Sequence, residues 1–531
     1  MTATTEPNDT GPSDASKLAA GVARGGIANL VGAVVYGASG FALLVVLNRG
    51  IGIDNAGIVV IAIAIFNILT TVAGVGTSTG LVRTISRLRA TDQAELIPMI
   101  VRAALVPVTL VSIAATAFLW WFAPVMARIM TDGGRVDEVT SVVRFMAPFV
   151  TFATLHSVVV QATRGFDTML PQVTIEKIGR SLALPVACGA AAYAGFSAQA
   201  VGAVWAGTNV VALAVSWRAL RVRVDRAVRA TGRPAPTTMD PDAFREFWAY
   251  TAPRAVGMVS SVIINWFDTI IVGALVSTTA AGIYASGTRY LLPGLFAADA
   301  LVQVIAPRLS GMLSTGRSTE ASALVQVSSG WQVLTMWPIY IVTLLFPTPL
   351  LAVFGEEVTE AKGALIALSI AMIMTAPMGP TGAVILMSGR SRQAMFNTLV
   401  VLFVNIAGNL IFVPRHGLTA AGIVWGVSIF LTYFISAWQS IRGLRVRTFG
   451  APTYAAMGVT AVTFGSVCVA GRLLLGDAWA GLLTAGIIGT AFYVAGVWRL
   501  RSSLHVDSWW QGIRGGARSR SATDTAARGS A

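Results

Sequence analysis

The chain has 531 residues, of which 55% are apolar and 12% charged, with a mean hydropathy of +0.71. That charged share is about half the soluble average, which excludes a soluble multidomain enzyme, and the apolar residues fall in runs long enough to make lipid the solvent for most of the chain. The net charge of +14 comes from 35 arginines and three lysines (Lys17, Lys177 and Lys362) set against 24 acidic residues; no nucleic-acid reading motif accompanies it, so it reads as cytoplasmic loop charge and not as a nucleic-acid footprint.

Residues 1–24 are rich in Thr, Pro, Asp, Ser and Gly, lack an apolar core and a cleavage pattern, and read as a disordered tail. From there apolar runs follow one another at 26–48, 56–80, 99–123, 141–163, 173–195, 198–219, 247–275, 280–306, 324–350, 363–387, 395–414, 418–440, 453–471 and 478–498. The expectation is an all-α polytopic membrane protein of about 14 transmembrane helices, because the runs are continuous and do not alternate with period 2. Loop arginines alternate with them. Arg83, Arg87, Arg89, Arg164, the Arg218–Arg233 group, Arg308, Arg317, Arg390, Arg392 and Arg442–Arg447 fall on one side. The opposite loops hold fewer arginines together with Asp132, Asp137, Glu138, Glu356, Glu357 and Glu360. The first side is therefore expected to be cytoplasmic, with both termini inside. Cys188 and Cys468 lie within apolar runs and offer neither a disulfide framework nor a metal site.

The chain also repeats. Residues 27–88 lie on 252–313 at an offset of 225: Gly32 on Gly257, Ala56-Gly57-Ile58 on Ala281-Gly282-Ile283, Ala73 on Ala298, Arg83 on Arg308. Further on, AVGAVWAG (200–207) matches AAGIVWGV (420–427). Six spans per repeat is an even number, so the halves share one orientation and form two pseudo-symmetric six-helix lobes, with two extra C-terminal helices outside the repeat. The expected organisation is a tail (1–24), an N-lobe (25–219), a basic cytoplasmic linker (220–246), a C-lobe (247–441), spans 13 and 14 (442–498) and a cytoplasmic tail (499–531) ending beyond the interfacial Trp509 and Trp510. Prolines 107, 148, 185, 253, 293, 338 and 377 sit in or at the ends of spans and are expected to bend them.

A charge at mid-membrane costs roughly 2.5–3.5 kcal/mol on the insertion scale and calls for a partner or a wet cavity. In span 7, Arg254, Ser261, Asn265 and Asp268 fall within roughly 60° of one another at about 100° per residue, a single polar stripe. Span 8 carries Arg289, Asp299 and Gln303. The other repeat has Asn29, Leu43, Ala64 and Gly74 where these four charges stand. Charges needed only by the shared fold would recur in both halves. One reading is a substrate cleft whose arginines hold an anionic head group and whose carboxylates counter them or take protons. The other is a pair of neutralising Arg–Asp bridges between spans 7 and 8. Asn29 shares a face of span 1 with Tyr36 and can reach the cleft; Arg24 lies at the inner end of that span, where snorkelling competes. Glu176 and Arg180 form an i, i+4 pair, and His156 reads as a packed, hydrogen-bonded histidine. No GxxxxGK[ST], HExxH, GxSxG or CxxC occurs, so no catalytic, metal or cofactor site is expected.

The segment Ala252–Met312 carries an AP start, an Asp followed by an apolar strip, the turn AAGIYASGTRY and the exit APRLSGM. With NRGIGIDNAGIVVIA near the start and SGRSRQAMFNTLVVLFVNIAGNLIFVPRHGLTAAGIVWGVS at spans 10 to 12, it resembles the oligosaccharide (Wzx-type) flippases of the multidrug/oligosaccharidyl-lipid/polysaccharide exporter superfamily. The resemblance covers about residues 25–445. It implies a V-shaped pair of lobes, alternating access, and translocation of a polyprenyl-pyrophosphate-linked oligosaccharide across the bacterial cytoplasmic membrane for surface polysaccharide or cell-wall glycan synthesis. The implied partners are that lipid-linked cargo, membrane lipids, and glycosyltransferases or polymerases. It makes Arg254 and Arg289 candidate head-group contacts. Related lipid II flippases use arginines of spans 1, 2 and 8; Arg24 and Arg289 are the nearest matches, and the absence of a mid-membrane arginine in span 2 argues against lipid II as cargo. A multidrug or cation antiporter, and a membrane glycosyltransferase or polymerase, are the competing readings; the short external loops and the absence of a loop carboxylate cluster disfavour the second.

Overall fold

A computed structural model describes residues 12–130, 135–234, 236 and 241–504, with side chains from residue 31 onward except at 253, 256, 261, 264, 265 and 307. No strand occurs among the described residues, and the first repeat runs through eight helices. These are α1 (Pro12–Ile51), α2 (Ile53–Ala73), α3 (Thr77–Ala90), α4 (Ile97–Met130), α5 (Val136–Met146), α6 (Phe149–Ala162), α7 (Ser181–Tyr193) and α8 (Ala198–Thr231). The second comprises α9 (Pro241–Leu275), α10 (Thr278–Gly287), α11 (Leu292–Ser314), α12 (Ser318–Leu345), α13 (Pro347–Ala352), α14 (Lys362–Thr375), α15 (Thr381–Met387) and α16 (Ser391–Leu444). Helices α17 (Ala451–Val459), α18 (Ser466–Leu475) and α19 (Trp479–Arg499) complete the chain.

Nine of the described helical segments are long and apolar enough to cross a bilayer, and ten when the pair α5/α6, bent by 49°, is taken as one span. Of the other expected spans, 7 and 9 are the continuous helices α9 and α12, and breaks that the sequence runs pass over divide several of the rest. Span 2 breaks at Gly74–Gly76, where Val75 and Gly76 take positive φ values of 45° and 69°. Span 5 opens with a π-helical segment, Gln172–Arg180, before α7. Span 8 is divided by a 3-10 turn, Thr288–Leu291. The 54-residue α16 holds two of the expected spans, separated at Gly417 (φ 58°, ψ −140°) just beyond Pro414. Pro148 sits at the α5/α6 bend, whereas Pro107, Pro185 and Pro338 lie inside uninterrupted helices.

Two expected boundaries shift. Helix α1 begins at Pro12, inside the expected tail. The basic segment 220–246 is largely helical. Helix α8 carries its arginines out to Thr231, Gly232 ends it in the left-handed conformation (φ 64°), and Pro241 starts α9 where a missing N–H costs nothing. His505, Trp509 and Trp510 lie outside the described residues.

Helix α2 is apolar on every side and buried at each residue from Ala56 to Phe66, as a helix enclosed by others must be. Its closest neighbour is α10. A Cβ on Gly57 would lie 2.0 Å from the Thr278 carbonyl oxygen, and one on Gly282 would lie 2.9 Å from the Gly57 Cα. These glycines are equivalent positions of the two repeats. Asp54 and Thr279, also equivalent, are joined by a 2.5 Å hydrogen bond from the Thr279 hydroxyl, and Asn48 donates to Ser286 Oγ at 2.9 Å two turns further along α10. The two repeats thus meet tightly at the acidic end. At the arginine-rich end they meet through α3 and α9: Gly76 and Gly80 leave no side chain against Thr251, Arg87 makes both its bonds to Glu246, and Phe247 is buried among Ile97, Ile100 and Val101.

Helices α17–α19 are peripheral. Only Gly481, Ala485 and Gly489 of α19 are buried, a small-residue stripe four apart that lets it approach α18 and the π-helical turn Thr460–Gly465. Their acidic-end turn is pinned by Asp477, which accepts from Thr348 Oγ1 at 2.5 Å and Lys362 Nζ at 2.9 Å, with Arg472 at 3.7 Å. Burial alone would push this carboxyl up; the bonds from Thr348 and Lys362 and the two cationic charges outweigh it and hold it below the usual range.

Gly57→Val should force α2 and α10 apart at a backbone oxygen, lowering stability by about 1–3 kcal/mol, the usual cost of overpacking; thermal unfolding in detergent measures it. Asp477→Asn should loosen the α18–α19 turn. Because the Asp477 carboxyl is depressed, its contribution is complete above the ordinary carboxylate range and lost as pH falls through the lowered value. Protease cleavage at this turn should therefore rise on acidification in the parent chain and be high at every pH in the variant.

Candidate functional site

The charges expected in spans 7 and 8 do not pair with one another. Arg254 and Asp268 are fourteen residues apart on one helix, about 21 Å along its axis at 1.5 Å per residue, and they reach different surroundings. Asp268 is 3% exposed in the second repeat and accepts from Asn409 Nδ2 at 2.7 Å. The same amide contacts Asn405 O at 2.9 Å and Asn405 Oδ1 at 3.3 Å; Asn405 in turn donates to Ser428 Oγ at 3.3 Å. Asn405, Asn409 and Ser428 are all buried, and Asn409 Oδ1 has no partner among the described residues. The two halves of α16 thus surround with amide and hydroxyl groups a buried carboxyl that has no cation beside it among the described residues. An isolated buried carboxylate is costly. Such a group is suited to carry a proton or to receive a small cation among neutral oxygens.

Arg254 is exposed at the arginine-rich end, its guanidinium 4.6 Å from the Tyr250 ring centroid. Arg289 lies in the 3-10 turn between α10 and α11, half-buried, within electrostatic reach of Tyr36 on α1, and with no hydrogen bond or ion pair among the described residues. Tyr36 packs edge-on against Phe296 of α11 at 6.1 Å. Asp299 is exposed on α11 and electrostatically coupled to Lys177 of the π-helical segment, whose Cβ and Cδ lie against Gly32 of α1. Arg289 with Tyr36, and Asp299 with Lys177, form two couplings, each joining a group of the second repeat to one of the first. The Arg–Asp bridges between spans 7 and 8 are replaced by contacts reaching across to α1, the π-helical segment and α16. The side chains of Arg24, Asn29 and Asn265 lie outside the described residues.

A second buried cluster occupies the first repeat. The His156 ring, 2% exposed, meets Ser216 Oγ through Nδ1 at 3.1 Å and Glu176 through Nε2. Glu176 also accepts from Arg180 at 3.1 Å, and Arg180 stacks 5.6 Å over Trp205. The i, i+4 pair and the packed histidine are one network spanning α6, the π-helical segment and α8. The extra residue per turn in a π-helix accompanies Glu176 facing into this network while Lys177, its neighbour, lies against α1.

Sequence reasoning read Lys177, beside Glu176 and Arg180, as structural and passed over Asn405, Asn409 and Ser428. The last three carry a usable signal: polar residues one turn apart in an otherwise apolar span, with a polar residue in the next. Lys177 carries none beyond its rarity.

Two repeated helical halves packed through α2, α9 and α10 are the architecture of a polytopic α-helical membrane protein. The chain belongs to the family described as polysaccharide biosynthesis protein, which matches residues 22–313, more than half its length. No curated protein matches it by sequence. Among solved structures it is similar to the lipid II flippase MurJ in an inward closed conformation, with a TM-score of 0.70 at 14% identity over 90% of this chain and 98% of that one. It is also similar to an inward-facing multidrug resistance MATE family transporter of the MOP superfamily, with a TM-score of 0.59 at 12% identity over 78% of this chain and 95% of that one. A MOP superfamily transporter from Pyrococcus furiosus gives 0.51 at 13% identity, over 80% and 96%. The superfamily resemblance read from Ala252–Met312 holds, and at these identities the likeness is one of fold.

Asn409→Ala should destabilise the second repeat by about 1–3 kcal/mol, because it strips a charged, buried acceptor of its donor. Asp268→Asn should cost less. Thermal unfolding of the two variants side by side tests the ordering.

Proposed function

We propose that this chain is a flippase that carries a polyprenyl-pyrophosphate-linked oligosaccharide from the inner to the outer leaflet of the bacterial cytoplasmic membrane by alternating access, in surface polysaccharide or cell-wall glycan synthesis. The observation that carries the reading is Arg289: a positively charged, half-buried side chain between the repeats with no carboxylate bonded to it among the described residues. Guanidinium groups bind phosphate oxygens through paired donors, and a lipid-borne pyrophosphate is an anion that would enter at this depth. The family membership supports a glycan-linked cargo.

In this mechanism Arg289 and Lys177 hold the head group from opposite repeats, and Asp299 balances Lys177 until cargo arrives. The repeats rock about the Gly57–Gly282 crossing, opening one mouth as the other closes. Asp268 couples the cycle to an ion. A proton or a monovalent cation entering among Asn405, Asn409 and Ser428 removes an uncompensated charge from α9, the helix whose other end packs on the first repeat. Arg24, Asn29 and Asn265 lie on spans bordering the same cleft and are proposed to contribute to it. Membrane glycosyltransferases that make the cargo, and polymerases that consume it, are the partners this places on either side.

Depletion of the protein followed by mass spectrometry of lipid extracts should reveal accumulation of one polyprenyl-linked glycan. Complementation by Arg289→Ala should fail, with transport reduced at least tenfold while the protein remains folded in the membrane; normal complementation would sink the assignment. Asp268→Asn should remove the dependence of transport on the ion gradient, and an unchanged dependence would exclude coupling through this group.

A further inference from the structure

The arginine-rich mouth holds an arrangement that loop charge alone does not explain. The Arg83 guanidinium of α3 lies 3.8 Å from the Tyr250 ring centroid, and Arg254 of α9 lies 4.6 Å from the same centroid. One aromatic ring therefore serves two cations from the two repeats. Neither arginine has a hydrogen bond or ion pair among the described residues. Glu246, one turn before Tyr250, is the carboxylate at hand, and Arg87 takes both its oxygens. Arg83, Arg87 and Arg254 thus face a single acid.

An arginine that only orients the chain in the membrane is free to splay into water. These two converge. A cation over an exposed ring gains only a modest attraction, set against the repulsion of two like charges brought together. The backbone imposes the convergence. Cβ atoms on Gly76 and Gly80 would lie 2.7 Å from Thr251 O and 2.2 Å from Thr251 Oγ1, so α3 and α9 are in near-contact at the residue next to Tyr250. Beside Arg83 is a cavity of about 170 Å³ bordered by Arg83, Arg87, Glu246, Phe247 and Tyr250, large enough to admit water. Two guanidiniums drawn to one ring, one of them bordering the cavity, are a donor set for one phosphate, bound through paired N–H groups.

We propose that Arg83, Tyr250 and Arg254 form a phosphate latch: a lipid-borne phosphate or pyrophosphate bridges the two arginines and holds the arginine-rich mouth shut. Its donors come from both repeats, so the site is complete only when that mouth is closed, and the anion stabilises that state. The head group of the cargo is the occupant if the flippase reading holds; an anionic phospholipid offers the same chemistry.

The test uses the purified full chain with Thr79→Cys and Met258→Cys, positions in contact across this mouth at 3.6 Å. Disulfide formation reports closure, since Cys188 and Cys468 are buried. Undecaprenyl pyrophosphate, phosphatidylglycerol and phosphatidylcholine are added separately. At least a threefold faster cross-link with an anionic lipid is expected over phosphatidylcholine. The gain should vanish in Arg83→Gln and in Arg254→Gln, persist in part in Arg83→Lys, and be untouched in Arg317→Gln, an arginine already paired with Glu320 at 3.2 Å. A response to undecaprenyl pyrophosphate alone assigns the latch to cargo; an equal response to phosphatidylglycerol assigns it to bulk lipid and stands even if depleted cells accumulate no polyprenyl-linked glycan. No response in the parent chain, or an equal response in the Gln variants, overturns the latch and leaves the flippase reading to the accumulation experiment.

Discussion

Helices α2 and α10 cross with nothing between them but hydrogen atoms at Gly57 and Gly282. This contact sets the separation of the two repeats and therefore the width of everything they enclose. A methyl group on either glycine would meet backbone, which cannot give way as a flexible side chain can. The crossing lies at the acidic end, so the remaining freedom of the repeats is angular, and the largest displacements fall at the arginine-rich mouth. Hydrogen bonds Asn48–Ser286 and Asp54–Thr279 flank the crossing and add direction to it.

The few charges within the fold divide by what they meet. His156, Glu176 and Arg180 satisfy one another inside the first repeat. Asp477 is met by Lys362 and Arg472 where the last two spans dock. Asp268 meets only amides, and Arg289 has no bonded partner among the described residues. Groups of the first kind consolidate helices that move together. Groups of the second kind carry a cost in the empty protein that a proton, an ion or an anion relieves, and a ligand acts on an equilibrium only through such differences between states.

Most of the architecture was legible because long apolar runs and alternating loop arginines are strong signals in lipid. The offset of 225 read from Gly32, Gly57, Ala73 and Arg83 is the offset at which Gly57 meets Gly282 and Asp54 meets Thr279. Breaks within spans were less legible. Gly74–Gly76 interrupts span 2 because three residues adopt turn geometry, and nothing in apolar periodicity marks that. Charge partners were the least legible. Asp268 finds Asn409 some 141 residues away, and Arg254 finds the ring of Tyr250 one turn behind it, shared with Arg83. Same-helix spacing identified which groups are polar and left open which helix they would meet. The charges confined to the second repeat were nonetheless the ones whose surroundings distinguish it from the first.

The hydrogen bond between Asp54 and Thr279 joins equivalent positions of the two halves. Contacts between equivalent positions fall on the pseudo-two-fold axis. In a dimer of identical half-chains both partners there would be the same residue. Two aspartates would repel and two threonines would lack the carboxylate. A donor facing an acceptor on the axis requires two different residues, and hence two halves free to diverge. Joining the halves in one polypeptide supplies that freedom. The acidic mouth is thus sealed by an asymmetry that a symmetric assembly of the same parts could not contain.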